Sequence, residues 1–177
     1  LYFDPAENLY LRGPRLDIAM KGVRRCEKEG IFSEPLTAMP GENFLRESML
    51  WLYVFGRTTD ADEVLAALRR VPDSGVGSLD LMGAVRQEVA LRLKAVGPAA
   101  LCQRIEGMLI RALMWRALDY PDVGAGFEAM AKLHWEALVS LPDHGDLPVW
   151  MEMNRRARDQ AKRELPESRW TKLGALP

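Results

Sequence analysis

The sequence predicts an all-α fold: a single domain, residues 1–177, of six or seven helices in a bundle or orthogonal array around a buried helix at 98–119. Three observations point there. The long segments repeat their apolar residues at steps of three and four, the helical period. The stretch PAALCQRIEGMLIRALMWRALD at 98–119 is apolar around so much of its circumference that other helices must surround it. Proline and glycine fall between the periodic runs, where they start and stop helices.

The first helix is expected from Arg15 to Glu29, with Leu16, Ala19, Met20, Val23 and Cys26 as its apolar line and Gly30 as its stop. Residues 31–41, punctuated by Pro35 and Pro40, read as a loop. A second helix follows from Glu42 to Phe55, its first acid favoured by the helix dipole. Its end, MLWLYVF at 49–55, has no polar face, so it is either buried on every side or a partner-binding surface. A strand competes there because aromatic and β-branched residues cluster. Asp60 with Glu63 resembles a capping box for a third helix, whose line is Ala61, Val64, Leu65, Leu68 and Val71 and whose end is Pro72.

Ser78 is the expected cap of a fourth helix, with Met82, Val85, Val89, Leu93 and Val96 inward. Gly97-Pro98 stops it and opens the fifth, and so tight a joint favours an antiparallel pair of the fourth and fifth helices. In the fifth, Leu101, Ile105, Met108, Ala112 and Trp115 form the primary line. The sixth, running to Leu141, turns Phe127, Met130, Ala131, His134, Trp135 and Leu138 inward and sets Glu128, Lys132 and Glu136 outside as ion pairs. The seventh, 148–165, has only a thin apolar line of Trp150, Met153, Ala157, Ala161 and Leu165. Residues 1–14 read as an extension, and Leu1-Tyr2-Phe3 resembles part of a protease-cleavage linker. The tail 166–177 shows no period.

A hydrophobic fraction of 48% and a charged fraction of 28% are those of a globular chain able to bury a core. The formal net charge of −1 supplies no global field for nucleic acid or an anionic membrane. The longest apolar run, 49–55, is far below the ~20 residues of a membrane-spanning helix. No export signal is visible, and Cys26 and Cys102 read as free, buried thiols, so a cytoplasmic protein without membrane insertion is expected. Arg outnumbers Lys, the bias of a GC-rich bacterial gene.

Few constellations suggest chemistry. Asp143-His144-Gly145-Asp146 offers two carboxylates and an imidazole to a cation or to acid–base work, but a turn and a helix cap need the same residues. Gly124, Gly126 and Ala129 match the letters of the dinucleotide fingerprint without the preceding strand that gives it meaning. Asp60, Asp62 and Glu63 are explained by the helix dipole, and His134 reads as a core histidine bonded to a carbonyl. No catalytic residue, metal or cofactor is expected.

The function expected is therefore non-catalytic: binding another macromolecule, as a protein-interaction subunit or adaptor of a larger bacterial assembly, with a protein partner or a second copy. Trp51, Tyr53 and Phe55 in the apolar segment, with Trp170 and Leu173 in the tail, are the expected anchors. The first alternative is a nucleic-acid-binding accessory protein or regulator contacting phosphates through Arg155, Arg156, Arg158, Lys162 and Arg163, with Arg24-Arg25 and Arg69-Arg70 as further basic pairs. The second is a small helical enzyme with its site at 143–146.

Overall fold

The computed structural model describes residues 13–31, 35–93, 96–140 and 148–173. Among them the chain is all-α, with eight helices and no strand. These are α1 (Leu16–Lys28), α2 (Pro35–Val54), α3 (Thr58–Leu68), α4 (Leu81–Leu93), α5 (Pro98–Ala117), α6 (Pro121–Val139), α7 (Trp150–Glu164) and α8 (Glu167–Leu173). The chain forms two compact units, one of Pro14–Glu88 and one that takes up the chain from Val89.

In the first unit α2 packs on α3, and α1 on both. Leu16, Met20 and Val23 of α1 are buried as the spacing predicts, with Ala19 and Cys26 half-buried. The expected loop at 31–41 is corrected, because α2 already begins at Pro35. Proline suits the first helical position, where its missing N–H has no intrahelical partner. Pro40, in the second turn, gives up one backbone bond without ending the helix. The segment 49–55 is helical, not a strand, up to Val54. Gly56, at φ +72°, then reverses the chain: its N–H bonds the Tyr53 carbonyl and the Arg57 N–H bonds that of Leu52, a Schellman motif.

The capping box at Asp60 does not form. Helix α3 begins at Thr58, so Asp60 lies in its first turn and accepts from Arg57 Nε at 2.7 Å. Ser78 is not the cap of α4 either: the Asp80 carboxylate accepts from the Gly83 N–H at 2.7 Å. Val85 is buried, but Met82 is exposed and approaches the Tyr53 hydroxyl through its sulfur. Val89 and Leu93 are buried as expected, and so is the charged Glu88, which meets Arg46 of α2.

In the second unit α5 packs most extensively on α6, then on α7 and α8. The close hairpin is thus α5 with α6, not the expected α4 with α5. Its joint is a second Schellman motif with Asp119 at φ +68°; the Asp119 N–H bonds the Arg116 carbonyl and the Tyr120 N–H that of Trp115. The Trp115 and Tyr120 rings stack edge to face at 5.4 Å across it. Leu101, Ile105, Leu109, Ile110, Ala112, Met114 and Ala117 are the buried residues of α5, while Met108 and Trp115 are half-buried. Gly124 sets the approach of α6: a Cβ there would lie 2.7 Å from the Ala112 carbonyl oxygen and 2.6 Å from Arg116 Cγ. Gly124, Gly126 and Ala129 therefore stand inside a helix, where the two glycines cannot form a phosphate loop.

Phe127, Met130, Ala131, His134 and Leu138 are buried as expected, and Trp135 is half-buried against Trp150 at 6.1 Å. Glu128 departs from the expected intrahelical pairing, because it accepts from Arg116 of α5. On α7, Met153, Ala157 and Ala161 are buried, with Leu165 just beyond. The tail is corrected as well: 167–173 is a helix, packed on α5, that Pro166 starts rather than prevents.

Candidate functional site

Helix α7 carries the candidate site. Its sequence, WMEMNRRARDQAKRE, has too few apolar residues for more than one buried line, so most of its surface faces outward. That surface divides into two flanks of different character.

On one flank Met151, Arg155, Arg158 and Lys162 follow at steps of four, three and four, which places them on one line along the helix, and all four are exposed. Met151 is 79% exposed and its neighbour Val149 62%, the two most exposed of the large apolar residues described. Both flank Trp150, whose ring turns toward Trp135. Arg155 lies 3.9 Å from Glu152, a long contact. Among the described residues no carboxylate lies within ion-pair distance of Arg158 or Lys162. The Lys162 ammonium sits 5.9 Å from the centre of the Trp170 ring, brought there by α8.

The other flank is mixed in charge. Arg156 is held by Glu152 of its own helix at 2.6 Å and reaches Glu106 of α5 at 3.6 Å. Glu152 and Glu106 raise the Arg156 pKa. Between α5 and α7 lies an open groove of about 510 Å³, with Gly107, Ile110 and Ala157 among its lining and Arg156, Arg163, Glu106 and Asp159 along its sides. The five basic residues singled out from the sequence therefore do not share one surface: Arg155, Arg158 and Lys162 lie together, while Arg156 and Arg163 stand among acids. The other basic pairs are engaged in the first unit, Arg24 with Glu63 and Asp60, Arg25 with Glu29, Arg70 with Glu27, and Arg69 with the Leu79 carbonyl.

The expected anchors have these positions. Trp51, Tyr53 and Phe55 are half-buried on and just after α2, while Met49, Leu50, Leu52 and Val54 between and before them are buried. The Trp51 and Phe55 rings are 6.2 Å apart, and burial raises the Tyr53 pKa. Trp170 is half-buried on α8, and Leu173 closes that helix, its side chain outside the described residues. Asp143, His144, Gly145 and Asp146 also lie outside the described residues.

The remaining reactive groups have structural partners. The Glu63 carboxyl is held below the usual range by the Arg24 guanidinium. His134 is buried, its Nδ1–H donating to the Met130 carbonyl at 2.9 Å; burial lowers its pKa, and Arg104 and Arg92 add to the effect. Cys26 and Cys102 are free and half-buried, and burial together with Glu106 pushes the Cys102 thiol up, away from the nucleophilic thiolate. Among the described residues no three potential ligands lie together as a metal-holding group, and no helix is long and apolar enough to cross a membrane.

Sequence reasoning missed Val149 and Met151, although a signal was present: they are the apolar residues of this region that fall off the buried line. No protein-family model, curated protein or solved structure matches this chain.

Proposed function

We propose that this chain is a non-catalytic helical protein that binds another macromolecule, and that α7 presents the binding face. One observation carries the reading: Met151 and Val149 stand exposed at the head of a line of exposed cations on a helix whose other side is firmly seated in its unit. A large apolar side chain that gains nothing in its own fold is a suitable anchor, and neighbouring cations supply orientation and encounter rate. Trp170 under Lys162 extends the face at its other end. Trp51, Tyr53 and Phe55 are each half-buried, which favours α7 over α2 as the principal surface.

The nucleic-acid reading draws on the same cations, but Glu152 and Asp159 lie on the adjoining flank, where a phosphate backbone following the helix would meet them. A protein partner is therefore the better-supported occupant. Photo-crosslinking in the native cells tests this directly, with a photoreactive residue at position 151, and with position 132 of α6 as an exposed control. Protease-sensitive adducts at 151 and not at 132 support the reading. Nuclease-sensitive adducts would replace the protein partner with nucleic acid, and equal labelling at the two positions would overturn the proposed face.

A further inference from the structure

The spacing and charge of the α7 face identify the class of partner. A line at steps of four, three and four is the seam by which one helix lies along another. Here that seam reads Met151, Arg155, Arg158, Lys162: one apolar contact followed by three cations, with the Trp170 ring beneath the last. An uncharged apolar helix cannot cover it, because burying three cations without counter-charges costs far more than the Met151 contact returns. A flexible acidic chain would satisfy the charges but leave Met151 without a pocket.

We infer that α7 docks an acidic amphipathic helix of a partner protein, whose carboxylates repeat at helical spacing opposite Arg155, Arg158 and Lys162 and whose apolar residues receive Met151. This deepens the function proposed above and rests on it. A second copy of this chain is a poorer occupant, because none of the described helices exposes a matching line of acids: the acids of α7 alternate with Arg156 and Arg163, and those of α6 are interrupted by Lys132. The seam also explains why the cations differ from the others on α7. Arg156 is already engaged by Glu152 and Glu106, whereas no described carboxylate is within reach of Arg158 and Lys162.

The test uses the whole chain and three fluorescent probes in anisotropy titrations. One is a synthetic peptide of about three heptads with glutamates on one seam and leucines beside them. The second is a scrambled peptide of the same composition, and the third a short DNA duplex. The patterned peptide is expected to bind at least about tenfold more tightly than the scrambled peptide or the duplex. Arg158→Glu is expected to remove at least about tenfold of that affinity and Met151→Ser a smaller factor, with unchanged circular dichroism. Equal affinity for the two peptides, tighter binding of the duplex, or no binding of any probe would overturn the acidic-helix assignment. Loss of this assignment together with protease-sensitive crosslinks at 151 leaves the broader function standing; absence of both removes it too.

Discussion

Arg46 of α2 donates to Glu88 of α4 at 2.8 Å, and the two side chains are 12% and 7% exposed. The same guanidinium bonds Glu42 and the carbonyl of Ser74, so one side chain ties α2, the 72–80 connector and α4 together. Burial acts to lower the Arg46 pKa, but Glu42 and Glu88 outweigh it and raise it. Arg46→Ala is expected to destabilise the protein by roughly 3–5 kcal/mol, because it breaks a largely buried ion pair by removing one of its two members. Replacing both residues together, Arg46→Met with Glu88→Leu, should recover most of that loss. Chemical denaturation of the two variants checks this; equal loss in both would mean that packing, and not charge pairing, is what the site supplies.

Gly124 predicts an effect opposite to helix propensity. Alanine is the better helix former by about 1 kcal/mol, yet its methyl would press on the Ala112 carbonyl, which cannot move without disturbing α5. Gly124→Ala should therefore lose ~1–3 kcal/mol through overpacking. Gly107→Ala on α5, where nothing lies within 4 Å of the added carbon, should be neutral or stabilising. Thermal melts of the pair decide it, and a Gly124→Ala variant as stable as the parent would contradict the close approach.

His134 links stability to pH. Its folded-state pKa is lowered by burial and by Arg104 and Arg92, so it stays neutral in the fold at pH values where the unfolded chain already takes up a proton. Stability is thus undiminished above the ordinary histidine value near 6.5 and falls as the pH drops through and below it, toward the depressed folded value. Denaturation between about pH 7.5 and 5.5 should show that decline, and His134→Leu should flatten it. A parallel decline in both would assign the effect to other groups.

The helical class was legible because each buried line repeats at the helical period, and the Met153, Ala157, Ala161 line is one that the structure bears out. What escaped the sequence was long-range pairing. Pro40 reads as a breaker, yet tertiary packing carries α2 through it. Asp60 and Glu63 read as a cap, but Glu63 is held by Arg24, 39 positions away, which also reaches Asp60 beside its local partner Arg57. Arg46 gives no local sign that Glu88 awaits it. On α7 the seam spacing was present in the sequence, and only the exposure of Met151 and the pairing of Arg156 with Glu106 separated the two flanks.

Helix α8 makes the tail part of its unit. It packs on α5, Arg169 reaches Asp119 at 3.5 Å, and Trp170 is half-buried beneath Lys162. The exposed ion pair contributes little. Deletion from Glu167 onward should still cost about 1–2 kcal/mol, a fall of a few degrees in Tm, through the lost packing. An unchanged Tm would leave Trp170 with no role in its own fold and add it to the anchors of the partner face.

The charge seam on α7 is tested most directly by exchanging charge across it. Arg155, Arg158 and Lys162 are all changed to Glu, and the variant and parent are each titrated against the glutamate-seam peptide and its lysine-seam counterpart. The matched pairs, parent with glutamate and variant with lysine, should bind within a few-fold of each other, and both mismatched pairs at least about tenfold more weakly. Binding of the glutamate peptide that survives the triple change, or a variant that fails to bind the lysine peptide, would contradict α7 as the docking helix.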